Sequence, residues 1–208
     1  MQCKNRDVVK LLAILISFLA LWVLTGWQPR LMIFWFVGIL VLSLVFVFKY
    51  RKTSKRDIFV AVLLGGLSAP SDPILALITL ATYLGAVNVF KVKKKRISLV
   101  QTEGKNPVLK TVLLAVVVGT ILGVINFYAA RSSMPLVISF RLKWVFDAFK
   151  AGITEEVIFR FFFYAVCLHF LPDTGLSRAE DLIIYLIMII PHVLVHFSFA
   201  DFNIGGVL

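Results

Sequence analysis

The chain has 208 residues, of which 60% are hydrophobic and only 16% are charged, and its formal net charge is +11. Soluble domains contain about 45–50% apolar and about 25% charged residues, so this composition excludes a water-soluble globular domain and predicts a polytopic integral membrane protein. The positive charge does not indicate nucleic-acid binding, because the basic residues fall in short clusters between apolar segments and no groove-reading motif occurs.

The first two apolar segments, residues 8–27 and 31–48, are each long enough for a membrane-spanning helix, which needs about 20 apolar residues. Only the tripeptide QPR separates them, so they predict a helical hairpin. The first segment has the basic and apolar parts of a signal peptide, but its apolar part is long and no small-x-small cleavage site follows. We therefore expect a retained first span.

The third apolar stretch, residues 58–90, is too long for one span and contains a breaker cluster, GGLSAPSDP, at 65–73. We expect two short spans, about 57–69 and 74–90, or a re-entrant segment in place of one of them. Basic clusters flank this stretch on both sides, and another occupies the N-terminal tail. The positive-inside rule places all three clusters in the cytoplasm.

The second half of the chain is also dominated by apolar segments. We expect three further spans, at about 108–130, 147–171 and 182–199. Between the first two of these, the mixed composition of residues 131–150 is typical of an interfacial helix. The two cysteines, Cys3 and Cys167, give no indication of a disulfide.

The fold class predicted from these segments is an all-α polytopic membrane bundle of about six to eight transmembrane helices. Residues 1–107 are expected to form N-terminal transmembrane helices with basic cytoplasmic loops. Residues 108–208 are expected to form a second region, which contains most of the polar groups that fall inside predicted spans.

The segment TEEVIFR, inside the predicted span 147–171, contains three charged residues: Glu155, Glu156 and Arg160. A charge at the centre of a transmembrane helix costs about 2.5–3.5 kcal/mol on insertion scales and indicates a functional site. On an α-helix Glu156 and Arg160 are in the favourable order for an ion pair, whereas Glu155 points about 100° away. We expect Arg160 to neutralise Glu156, and Gly152 to let a neighbouring helix approach. A purely structural cluster would explain the pair but not Glu155.

The next predicted span supplies His192 and His196, which are four residues apart on one helical face, a metal-ligand spacing. At about 1.5 Å per residue from the polar loop, antiparallel helices would place His196 level with the glutamates and His192 about one turn deeper, near Arg160. His169 lies near the loop end of its span and is expected to be outside this level. Two core histidines without a ligand are the alternative interpretation.

Carboxylates and imidazoles that meet in a low-dielectric pocket are suited to hydrolysis. A carboxylate can take a proton from water. Imidazoles can hold that water, stabilise an oxyanion or bind a metal that lowers the pKa of the water.

The segment EEVIFR has the pattern EExxxR within a span, and histidines follow in the next span. This resembles the CPBP family, the CAAX proteases and bacteriocin-processing enzymes, which include the type II CAAX prenyl endopeptidases. The family pattern is EExxxR, then FxxxH, then HxxxN or a variant of it, on successive membrane helices. The resemblance covers about residues 145–200 and implies a multi-helix, metalloprotease-like intramembrane peptidase.

Carried over residue by residue, the resemblance implies that Glu155 is the general base and that Glu156 and Arg160 form the supporting pair. His196 matches the histidine of the second motif, and His192 stands where that motif has phenylalanine, so either histidine can be the functional one. If a divalent metal such as zinc is bound, its expected ligands are His192, His196 and Glu155.

The third family motif is missing, because the chain reaches Leu208 without another helix. We therefore expect residues 108–208 to form a CPBP-like protease core that is truncated at its C-terminal end.

The leading functional hypothesis is an intramembrane endopeptidase of a bacterial plasma membrane that hydrolyses a lipidated, leader or bacteriocin-like peptide. The first alternative is a non-catalytic self-immunity protein that binds such a peptide. The second is a proton-coupled transporter, because buried Glu, Arg and His also mark proton relays; the sequence lacks the internal repeat that many transporters have. The expected partners are membrane lipids and a hydrophobic or lipidated peptide, and not nucleic acid.

Overall fold

The computed structural model describes residues 2–93, 107–133, 141–171 and 176–196, which are almost entirely helical and contain no strand. This confirms the all-α class for the described part of the chain. The helices are α1 (Gln2–Trp27), α2 (Met32–Tyr50), α3 (Lys55–Ser68), α4 (Pro73–Val92), α5 (Pro107–Ser133), α6 (Leu142–Phe149), α7 (Phe163–Phe170) and α8 (Arg178–Leu194). A 3₁₀ turn, Pro29–Leu31, precedes α2, and two π-helical segments, Lys150–Thr154 and Glu156–Phe162, connect α6 to α7.

Three of these helices are long and apolar enough to cross a membrane: α1 over Asp7–Gly26, α2 and α4. Large apolar side chains on the first two, such as Ile16, Phe34 and Phe48, are 62–65% exposed. Soluble monomers rarely expose large contiguous apolar patches, so these surfaces are compatible with a membrane protein.

The predicted break inside residues 58–90 is confirmed, but α3 is shorter than a span. It has 14 residues, or about 21 Å at 1.5 Å per residue, against a hydrocarbon core of about 30 Å. The break has a local cause. Asp72 accepts hydrogen bonds from the N–H groups of Ile74 and Leu75, and Pro73 occupies the first position of α4; both are strong helix-start signals.

The second half of the chain differs from the prediction in one respect. The predicted span 108–130 coincides with α5, and the next one corresponds to a helical path that runs from Leu142 to Phe170 without a break. Residues 142–150 are therefore the first turns of that path and not a helix of their own. Residues 134–140 of the predicted interfacial stretch lie outside the described residues.

The described helices belong to two compact units. The first comprises Met1–Lys95 and Leu142–Leu208 and contains every helix except α5; the second, Arg96–Arg141, contains α5. The sequence predicted a boundary between residues 107 and 108, which separates two regions of different function. The division into compact units does not test this boundary, and it stays a prediction.

In the first unit α4 packs against α2, α3 and the helical path Leu142–Phe170. Gly85 permits the close approach of α2, because a Cβ there would lie 2.9 Å from the backbone oxygen of Ser43. Gly152 had been predicted for such a role, but no described atom of another helix lies within 4 Å of the position its Cβ would take. That prediction is therefore wrong for the described residues.

Residues of α1, α2 and α7 and the residue after α4 meet at one end of the first unit, which we call the basic end. The Lys10 ammonium of α1 donates to the backbone oxygen of Phe170, and that of Lys93, after α4, donates to the oxygen of Leu171. Tyr50, at the end of α2, hydrogen-bonds to His169 of α7. The opposite end, which we call the far end, contains the turn 69–72.

Candidate functional site

Glu155 lies at the junction of the two π-helical segments. In a π-helix the backbone hydrogen bonds span five residues instead of four, and such turns frequently occur at functional sites. The adjacent Thr154 is buried, and its hydroxyl lies 3.0 Å from the hydroxyl of Thr79 on α4. This bond between two helices holds the backbone that carries Glu155.

Glu155 meets both histidines that follow it in the sequence. Its Oε2 lies 2.9 Å from Nε2 of His192, a hydrogen bond in which the imidazole N–H donates, and 3.8 Å from Nε2 of His196. One ligand atom from each residue lies within 4.8 Å of the other two. The predicted meeting is confirmed for these three residues, which we call the Glu155 cluster. His192 is the nearer histidine by atom distance, although the prediction had set His196 level with the glutamates. The ring of His192 stacks on Phe159, the neighbour of Arg160, which agrees with its predicted position about one turn deeper.

Two contacts fix the orientation of the histidines. The imidazole of His192 stacks on the ring of Phe159, with centroids 5.2 Å apart and planes at 16°. The end of α8 is held by Trp22 of α1, whose indole N–H donates to the backbone oxygen of Leu194 at 2.8 Å. The ring of His192 and the end of the helix that carries both histidines are therefore each held by a residue outside the cluster.

The exposure of the three side chains increases in one direction. The side chain of His192 is 19% exposed, that of Glu155 32% and that of His196 56%. Within the described part of the chain, the cluster is thus open on the side of His196, where water or a substrate can approach.

Glu156 and Arg160 form the predicted ion pair but lie apart from the Glu155 cluster. Arg160 Nη1 is 2.7 Å and 2.9 Å from the two carboxylate oxygens of Glu156, and both side chains are about half exposed. Exposed pairs of this kind are worth about 0–1 kcal/mol in water. The catalytic role predicted for these two residues stays a prediction.

The Glu155 cluster has a donor set that fits a zinc ion. Zinc bonds to histidine nitrogen and carboxylate oxygen are about 2.0–2.2 Å long, so a tetrahedral site separates its ligand atoms by about 3.4 Å. The separations of 2.9 Å and 3.8 Å from Glu155 Oε2 lie on either side of this value, and all three ligand atoms lie within 4.8 Å of one another. Catalytic zinc sites commonly use three protein ligands and leave a fourth position for water or substrate.

His169 was predicted to lie outside this site, and that prediction is confirmed. Its ring hydrogen-bonds to the hydroxyl of Tyr50 at the basic end and lies 4.8 Å from the ring of Phe46.

Some residues that support the site were not predicted. Phe159 follows Glu155 by four residues, so helical spacing places it on nearly the same face. Thr79 and Trp22 come from other helices, and no local pattern in the sequence indicates that they reach the site.

No family model, curated protein or solved structure matches the chain. The resemblance to the CPBP family therefore rests on the EExxxR segment and the histidines that follow it.

Proposed function

We propose that the chain is an endopeptidase embedded in a bacterial plasma membrane and that it hydrolyses a peptide bond of a membrane-associated peptide. The observation that carries the proposal is the convergence of Glu155, His192 and His196, from two helices, to within 4.8 Å. A carboxylate and two imidazoles surround one open point there. The carboxylate can act as a base toward water, and each imidazole can donate a hydrogen bond or bind a metal. The resemblance of EEVIFR to the CPBP motif supports the same reaction class.

Glu155 is the proposed general base. Its carboxylate takes a proton from a water molecule as the water oxygen attacks the carbonyl carbon of the scissile bond. The protonated carboxyl then gives this proton to the amine nitrogen while the C–N bond breaks, so that a carboxylic acid and an amine are released. The hydrogen bond from His192 at 2.9 Å holds the carboxylate in position for both transfers.

His196 is the residue proposed to face the substrate, because its side chain is the most exposed of the three. An imidazole N–H there can donate to the carbonyl oxygen as that oxygen becomes negative; one such donor is worth about 10²–10³-fold in rate in a well-studied protease. If the three residues instead hold a divalent cation, that cation would polarise the carbonyl in place of His196 and would lower the pKa of a bound water, so that the water needs less help from a base.

We also propose that further helices cross the membrane. The helical path Leu142–Phe170 packs along α4, and we assign it a crossing beside that helix. With α5, α8, the short helix α3 and the three helices of sufficient length, this gives seven crossings, which lies within the predicted range. The substrates considered are lipidated, leader or bacteriocin-like peptides.

A cleavage assay tests the proposed function. The purified protein in detergent is incubated with a library of hydrophobic peptides, and the products of wild type, Glu155→Gln and His196→Ala are compared by mass spectrometry. We expect cleavage by wild type and a large loss in both variants. If none of the three cleaves, while protection of cells against a bacteriocin survives both substitutions, the peptidase proposal fails and the self-immunity alternative is favoured.

A further inference from the structure

The two ends of the first unit differ in positive charge. The basic end contains Lys10, the turn 49–56 and the residues Lys91 and Lys93. The far end contains fewer basic residues: Arg30, Lys143 and Lys150. Under the positive-inside rule, the basic end faces the cytoplasm and the far end faces the exterior.

The Glu155 cluster lies nearer to the far end. Thr154 is bonded to Thr79, and α4 extends from Pro73 at the far end to Val92 at the basic end. At about 1.5 Å per residue, the level of Thr79 is about 9 Å from the first terminus and about 20 Å from the second. The bond from Trp22 to the last residue of α8 lies toward the same far end, since both helices have run most of their length from the basic end.

Packed side chains close the cluster toward the basic end. Phe159, Phe162 and Phe163 follow Glu155 along the helical path and are 7%, 0% and 1% exposed. Phe163 stacks on Phe18 of α1, with ring centroids 4.5 Å apart, and also packs edge-on against Phe159. Among the described residues this apolar layer separates the cluster from the basic end, whereas the side chain of His196 is 56% exposed.

We propose that the Glu155 cluster is reached from the extracytoplasmic face and that its substrate is a hydrophobic peptide that enters the membrane from outside the cell. This inference rests on the proposed peptidase function. A peptide inserted into the outer half of the bilayer meets the exposed side of the cluster directly. A lipidated chain end made in the cytoplasm would have to pass the layer formed by Phe159, Phe162 and Phe163.

The direction of access is tested with single cysteines in intact cells. Cys3 and Cys167 are replaced by Ser and Ala, and one cysteine is introduced by Val195→Cys beside the cluster, Pro70→Cys at the far end or Lys52→Cys at the basic end; all three positions are exposed. A membrane-impermeant maleimide should label the first two in intact cells, and should label Lys52→Cys severalfold more after permeabilisation. His196→Cys is a second reporter at the cluster, and labelling of denatured protein confirms that each thiol is reactive.

Labelling of Lys52→Cys but not Pro70→Cys in intact cells would overturn the proposed orientation. The proposed access would be overturned by a second result. In it, Pro70→Cys is labelled in intact cells, but Val195→Cys and His196→Cys are labelled only after permeabilisation.

The substrate class is tested with sealed membrane vesicles of both orientations. The probe is a quenched fluorogenic hydrophobic peptide with a lysine-rich end that cannot cross the bilayer. We expect cleavage by right-side-out vesicles that is severalfold faster than by inside-out vesicles, and the reverse ratio would contradict the proposal. If detergent-solubilised wild type also fails to cleave, the peptidase function itself is wrong, and the cysteine labelling still decides the direction of access.

Discussion

Two clusters of the first unit each contain a carboxylate bonded to a nitrogen base, and they differ in what surrounds them. In the Asp57 cluster (Ser54, Asp57 and Lys91), at the basic end, the carboxylate accepts bonds from the Lys91 ammonium and from the backbone N–H and hydroxyl of Ser54. Ser54 and Asp57 form the capping box that begins α3. Each bond of the carboxylate therefore completes or neutralises a helix start.

In the Glu155 cluster the bonds have another purpose. The side chain of Glu155 makes no capping hydrogen bond. Its partners come from a different helix, and the ligand atoms converge on one point that is open on the side of His196. A polar cluster that satisfies backbone groups is explained by folding alone. Folding does not explain a cluster whose donor atoms converge on an open point. This difference supports a functional role for Glu155.

The largest effect is expected from matched acid-to-amide substitutions in the two clusters. Glu155→Gln should lower the rate of peptide cleavage by about 10²-fold or more, the usual contribution of a general base, with little change in thermal stability. Asp57→Asn should lower the thermal stability and leave the rate of the folded fraction unchanged. Equal losses of rate in both variants, measured on correctly folded protein, would show that Glu155 acts only through the fold.

The next largest effect is expected on zinc affinity, when a histidine of the Glu155 cluster and the histidine at the basic end are each replaced by alanine. His192→Ala should weaken zinc binding at least about tenfold, because loss of even an outer-shell partner commonly costs a factor of 10–100. His169→Ala should leave zinc affinity unchanged, since His169 bonds to Tyr50 at the basic end. Isothermal titration of the metal-stripped proteins measures both. An equal loss in the two variants would argue against a zinc site at Glu155.

A smaller effect is expected from the helix caps. Ser54→Ala should lower the free energy of unfolding by about 1 kcal/mol, the typical value for an N-cap serine. Ser177→Ala, in the matching capping box of α8, should cost a similar amount. Thermal unfolding in detergent measures both losses. Zinc affinity should be unchanged in Ser54→Ala, and a decrease there would mean that the two clusters are coupled.

The smallest effect is a pH dependence of the Asp57 cluster. Partial burial raises the pKa of the Asp57 carboxyl, but the hydrogen bonds from Lys91 and from Ser54 outweigh it, so the pKa lies below its ordinary value. A carboxyl with a lowered pKa contributes stability above the pKa of the unfolded chain and loses it as the pH falls through the folded value, here below about 4. Thermal unfolding of wild type should show this loss, and Asp57→Asn should show less of it.

The features that the sequence predicted correctly depend on neighbours in the chain. The break before α4 follows from Asp72 and Pro73, which act on the helix that contains them. The pair of Glu156 and Arg160 follows from a spacing of four residues. Counting residues from a shared loop was enough to bring Glu155 together with two histidines of the next helix.

The features that it did not predict depend on how helices pack. The order of His192 and His196 around Glu155 depends on the rotation of α8, and that rotation is set by contacts such as the bond from Trp22. The π-helical segments around Glu155 have no signal in the apolar spacing. Helices approach closely at Gly85 and not at Gly152, because close approach requires a partner helix as well as a small residue.

The most direct test of the proposed site is a zinc titration of the metal-stripped protein in detergent while cleavage of a hydrophobic peptide is followed. We expect cleavage by wild type to rise until a single equivalent of zinc is bound and then to level off, and Glu155→Gln to show no comparable rise. Cleavage that is unaffected by removal of zinc and equally fast in Glu155→Gln would contradict the proposal that the Glu155 cluster carries out the hydrolysis.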